Sequence, residues 1–116
     1  MKVFYPRHSR EEIIRAVREG VARLGARLPL VEAVLFGSVA SGRQTVASDV
    51  DLLIVCSGPT RQDVFALAKE LVQVPRLEVH AYSELEATQL RETIARMTRG
   101  GIRVYPALPS HSEGQR

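Results

Sequence analysis

The sequence predicts an α+β fold: a mixed sheet of three to four strands, with helices packed mainly on one face. Three observations carry this. Apolar, β-branched runs recur at 30–36, 50–56 and 76–82, bounded by turn residues. Around them, apolar residues recur at helical spacing. The connection 37–48 is too short to hold the full helix of a parallel crossover, so the first two strands are expected to be antiparallel.

Each element has its own local reason. Ser9 stands three residues before Glu12, a capping box, and Ile13, Ile14, Val17, Val21 and Leu24 follow at helical spacing, which predicts a helix over 10–24. Gly25 and Pro29 bracket its exit. Residues 37–48 are rich in Gly, Ser and Thr and read as loop with room for one helical turn. Ser57-Gly58-Pro59 ends the second strand, and Val64, Leu67, Ala68 and Leu71 then share a face, predicting a helix over 60–72 that Pro75 breaks. Ser83 and Glu86 repeat the capping box and open a helix to about residue 98, carrying Leu85, Leu90, Ile94 and Met97. Gly100-Gly101 stops it, and 102–105 suits a short edge strand. Residues 1–105 are therefore expected to form one domain and 106–116, with little to bury, a flexible C-terminal tail.

Composition narrows the class. A chain of 116 residues, 45% hydrophobic and 25% charged, suits one globular domain with a modest core. Net charge is +3, carried almost wholly by scattered arginines, with Lys2 and Lys69 the only lysines. That balance fits weak binding of a nucleotide or RNA, and fits a solvated surface equally well; without a massed basic patch, a nucleic-acid partner is not expected. Cys56, the only cysteine, lies in an apolar run and reads as a core residue. No run approaches the ~18 apolar residues of a membrane span, and the N-terminus lacks a signal-like segment, so a cytoplasmic protein is expected.

The chemistry gathers in the stretch 34–55. Side chains alternate along a strand, so Asp49 and Asp51 point to the same side, with Cα atoms roughly 6.5–7 Å apart. Two unpaired carboxylates at that spacing repel one another, and a cation resolves the repulsion. Oxygen-only ligands of this kind suit Mg²⁺, which commonly bridges to phosphate. The blander reading is that Ser48-Asp49 is turn chemistry and Asp51 an exposed edge. Upstream, Gly37 follows a strand directly, where glycine permits a sharp turn and a close phosphate approach, and Ser38 adds a hydroxyl. Backbone amides in such a turn hold phosphate without lysine; alone, it is also an ordinary strand-to-loop turn. Together, an anion holder facing a cation holder points to nucleotidyl transfer: an acceptor hydroxyl attacks the α-phosphate of a nucleoside triphosphate and pyrophosphate leaves.

Gly37-Ser38, Gly42 and Ser48-Asp49-Val50-Asp51-Leu52-Leu53 resemble the G-S-x-A-x-G…S-D-x-D-L-L signature of the DNA polymerase β-type nucleotidyltransferase superfamily, and the chain's small size resembles its minimal nucleotidyltransferase branch. The resemblance implies the palm-like nucleotidyltransferase fold, with the 30–36 and 50–56 strands adjacent and the 76–82 strand beside the second. It implies Mg²⁺ as cofactor, ATP as nucleotide, Gly37, Ser38 and Ser48 as nucleotide-binding residues, and Asp49 and Asp51 as metal-binding and catalytic residues. It also implies a third carboxylate on the neighbouring strand, metal ligand and acceptor of the hydroxyl proton. Glu78 stands there, where the family usually has Asp, and its extra methylene gives longer reach and less rotamer definition. The family often carries arginine where this chain has Ser41; Arg43 lies nearby. His80 shares Glu78's side and reads as a polar strand-end residue, while His8 and His111 have no metal-like spacing.

The resemblance extends to a partner. Minimal nucleotidyltransferases occur with helical HEPN-family proteins as antitoxins, some transferring AMP to a tyrosine of the toxin. The expectation is therefore a Mg²⁺-dependent, AMP-transferring antitoxin; the alternative is a weakly catalytic or non-catalytic binding antitoxin that masks its HEPN partner. A small-molecule or tRNA nucleotidyltransferase is a third reading, disfavoured by the small size. The amphipathic C-terminal helix suits covering the sheet or forming an interface, a second copy of this chain included.

Overall fold

The structure is a computed structural model and describes residues 9–43, 45, 48–59 and 62–106. His8, His111 and residues 107–116 of the expected tail lie outside the described residues. Helix α1 (Arg10–Gly25) begins at the Ser9–Glu12 capping box, both of whose reciprocal bonds form. Then follow β1 (Leu30–Phe36), a one-turn α2 (Ser38–Ser41), β2 (Val50–Cys56), α3 (Val64–Leu71), β3 (Leu77–Ser83), α4 (Glu84–Gln89), α5 (Arg91–Met97) and β4 (Ile102–Tyr105). The strands form one mixed sheet in the order β3-β2-β1-β4. β1 runs antiparallel to β2 and β4, and β2 runs parallel to β3.

The strand alternation divides the sheet into two faces. Ala33 and Leu35 of β1 and Val50, Leu52, Ile54 and Cys56 of β2 join Val17, Val21 and Leu24 of α1 and Val64 and Ala68 of α3 in the main core. The expectation of helices mainly on one face is met only in part, since α1 and α3 form this layer while α4 and α5 lie on the other face. The layer is close enough that a Cβ on Gly20 of α1 would stand 2.6 Å from the Leu71 carbonyl oxygen of α3. Cys56 is a buried free thiol in this core.

Val34, Phe36, Leu53 and Val55 face the other side, where Tyr82, Ala87, Ile94 and Met97 pack on them. Here the structure differs from the single C-terminal helix expected. The helix breaks at Leu90, whose φ of −103° and ψ of 24° close α4 and open α5. The break lets Ala87 and Ile94 both reach the sheet, while Leu85 and Leu90 stay exposed. α3 also starts later than expected, at Val64, because Gln62 and Asp63 form a turn; Thr60 and Arg61 lie outside the described residues. Among the described residues, no helix is long and apolar enough to cross a membrane.

Candidate active site

Asp51 sits on the central strand β2, opposite Phe36 of β1 on one side and Glu78 of β3 on the other. Residues directly opposite in a ladder share a face. Asp51 and Glu78 therefore project from adjacent rungs on the side opposite α1 and α3. Both stand near the N-terminal ends of their strands, whereas α4 leaves the C-terminal end of β3, so the helices do not close over them. The Asp51 side chain is one-quarter exposed and Glu78 is exposed. The resemblance supplied Glu78 by sequence match alone; the parallel register makes it Asp51's lateral neighbour.

Gly37 explains its own identity. Its φ of 83° and ψ of −154° lie in a region open essentially only to glycine. A Cβ there would run into Asp51 Oδ2. The turn therefore lies against the carboxylate, and only glycine permits both the bend and the approach. Past it, α2 turns once and ends at Gly42, also left-handed with φ 81°. The amides of Ser38, Val39 and Ala40 open this turn and have no intrahelical partner, by the geometry of any first turn. Ser48 closes the loop, its Oγ accepting from the Thr45 amide at 2.8 Å while its own amide donates to the Thr45 carbonyl at 3.1 Å.

Two arginines that sequence reasoning passed over shape the site. Arg10, the first residue of α1, donates from Nε to the Val39 carbonyl and from Nη2 to the Ala40 carbonyl, both at 2.8 Å. It pins the C-terminal end of α2, a helix too short to be stable alone. No local signal could reveal a bond to carbonyls some thirty positions away. Arg76 places Nη2 3.1 Å from Asp49 Oδ1, both side chains about half exposed. Its backbone is left-handed, with φ 59°. His80 stands 3.4 Å from Asp51 Oδ1 and tilts its ring on Phe36, centroids 5.1 Å apart. His80, expected at a strand end, lies mid-strand in β3 (Leu77–Ser83) and is a neighbour of the central acid. Arg43, two positions past Ser41, is exposed, with its amide on the Ser38 carbonyl.

Asp51 and Glu78 are brought together by register, while Asp49, just before β2, is turned toward Arg76. Among the described residues, no three His, Cys, Asp or Glu side chains form a ready-made cation cage. Mg²⁺ does not require one: it is usually held by one or two carboxylates plus substrate phosphates. The two carboxylates that the register brings together, Asp51 and Glu78, are oxygen donors of the kind such a shared ion takes, while Asp49 faces Arg76.

The family model described as nucleotidyltransferase domain matches residues 14–102, most of the chain, and the chain belongs to that family. Membership carries the general activity, nucleotidyl transfer, with the family's use of a nucleoside triphosphate and a divalent metal. The fold is also similar to the crystal structure of a protein from Sulfolobus solfataricus classed as a nucleotidyltransferase, with TM-score 0.58 and 21% identity, covering 88% of this chain and 87% of that one. No curated protein matches the chain significantly.

Proposed function

We propose that this protein transfers AMP from ATP, with Mg²⁺, to the hydroxyl of a tyrosine on a HEPN-family partner, and so acts as an antitoxin. The observation that carries the site assignment is the pairing of Asp51 with Glu78 across β2 and β3, with Gly37 against Asp51. In this reading the amides of the Gly37–Ser38 turn hold the triphosphate, helped by the Ser38 hydroxyl, and Ser48 keeps the returning loop in place. Asp49, Asp51 and Glu78 hold the ion, which supplies charge neutralisation on the phosphates and makes the acceptor hydroxyl easier to deprotonate. The hydroxyl oxygen bonds to the α-phosphorus, the bond from that phosphorus to the bridging oxygen breaks, and pyrophosphate departs. Glu78 takes the hydroxyl proton; its exposure on an edge strand leaves it open to an acceptor side chain.

The test incubates the protein with α-labelled ATP, Mg²⁺ and the product of the adjacent open reading frame, followed by gel electrophoresis. Label should move to the partner and vanish with Asp49→Asn combined with Asp51→Asn. Absence of label from the wild-type reaction would sink the catalytic reading. A second reading, a masking antitoxin without catalysis, draws support from the engagement of Asp49 by Arg76 and of Asp51 by His80. It requires the double variant to neutralise the partner as well as wild type does, without ATP.

A further inference from the structure

We infer that Arg76 is a ligand of the nucleotide's phosphates, parked on Asp49 until the nucleotide and its cation arrive; this rests on the nucleotidyl-transfer reading above. Residues 37–42 carry no cationic side chain, so the turn assigned to the triphosphate offers only amides and hydroxyls. Arg76 stands at the site's mouth, its guanidinium 3.1 Å from Asp49 Oδ1 and its side chain 53% exposed. Its backbone is held left-handed at φ 59°, and its carbonyl accepts from the Val50 amide at 2.9 Å, which ties that bend to the first residue of β2. Left-handed residues other than glycine, asparagine and aspartate are uncommon and tend to mark functional sites. An ion pair this exposed stabilises a fold little. Fold stability therefore gives weak grounds for arginine at a position where glycine would be unstrained. A guanidinium, by contrast, matches phosphate oxygens with two parallel donors. When a cation engages Asp49, the guanidinium loses its carboxylate and is released beside the incoming phosphates.

The test is direct binding of a non-hydrolysable ATP analogue with Mg²⁺ by calorimetry, and of Mn²⁺ alone by its electron paramagnetic resonance signal, to wild type, Arg76→Gly and Arg76→Lys. Glycine accepts the left-handed backbone, so R76G is expected to fold, which a thermal melt verifies. The expected result is a Kd for the analogue raised about tenfold in R76G, the worth of a charged hydrogen bond, partly restored in R76K. Mn²⁺ alone should bind R76G as tightly as wild type or tighter, since Asp49 has lost a competitor. If R76G binds the analogue as well as wild type or better, Arg76 is merely the counter-ion of Asp49 and the inference falls alone. If wild type binds no nucleotide, both this inference and the transferase reading fall. Should R76G fail to melt cooperatively, R76K decides by itself: unchanged analogue affinity overturns the inference, and a severalfold loss supports it.

Discussion

Replacing Gly37 by alanine gives the sharpest test of how the turn and the central acid are built together. Two penalties coincide at this position. The backbone angles, φ 83° and ψ −154°, belong to a region that a residue with a side chain occupies at a cost of about 1–3 kcal/mol. The new methyl would also meet Asp51, whose carboxyl carbon lies 3.3 Å from the Cβ position with Oδ2 nearer still. Asp51 lies between β1 and β3 and cannot retreat without disturbing its ladder, so the turn must shift or the carboxylate must rotate. The expected loss is about 2–3 kcal/mol, a fall in Tm of roughly 8–12 °C for a domain of this size. Gly42→Ala supplies the control. Gly42 is likewise left-handed, at φ 81°, but a Cβ there meets nothing within 4 Å, so only the conformational cost of about 1 kcal/mol remains. The assay is a thermal melt of both variants beside nucleotidyl transfer at a temperature where both stay folded. G37A should lose transfer almost completely and G42A only in part. Equal melting temperatures with equal retained activity would refute the close packing of the turn on Asp51.

Three further outcomes follow from the same structure. Asp51→Asn and Asp49→Asn should each lower transfer about 100-fold or more by removing a carboxylate that would hold the cation shared with the phosphates, while chemical denaturation of Asp49→Asn moves by less than about 1 kcal/mol because its pair with Arg76 is half exposed. Arg10→Ala should cost about 1–2 kcal/mol through loss of the bonds to Val39 and Ala40; hydrogen exchange should quicken at residues 38–43 more than in β2, and uniform quickening would contradict a local role. Gly20→Ala should destabilise by about 1–3 kcal/mol by forcing α1 off α3, measured by denaturant melt, while leaving the KM for nucleotide near wild type.

Much of this fold was legible because its signals are local. Both capping boxes stand where Ser9, Glu12, Ser83 and Glu86 place them. The β1 and β2 boundaries coincide with the apolar runs, and the short 37–48 connection correctly requires antiparallel pairing. The placement of β3 beside β2 came from the family resemblance, and its parallel direction comes from the structure alone, since nothing local orders a strand that follows a helix. Less was legible where tertiary contact decides. Leu90 has ordinary helical neighbours, yet the sheet beneath it favours two short helices over one. Arg10 and Arg76 carry no mark of their partners, because one bonds carbonyls and the other a carboxylate, each more than two dozen positions away. The aspartate pair was readable as a pair, but not that Asp49 would turn to an arginine while Asp51 met His80.

The β2–β3 ladder has one more consequence. Backbone hydrogen bonding spaces the two strands by roughly 4.8 Å whatever occupies the site. Asp51 is wedged under Gly37 and flanked by strands on both sides, whereas Glu78 is exposed on the outermost strand. For the proposed transfer, the site would work as a vice with one stiff jaw and one pliant jaw: accommodation to ions or acceptors of different size would fall to the glutamate's extra rotatable bond, and the central jaw would set the datum from which it adjusts.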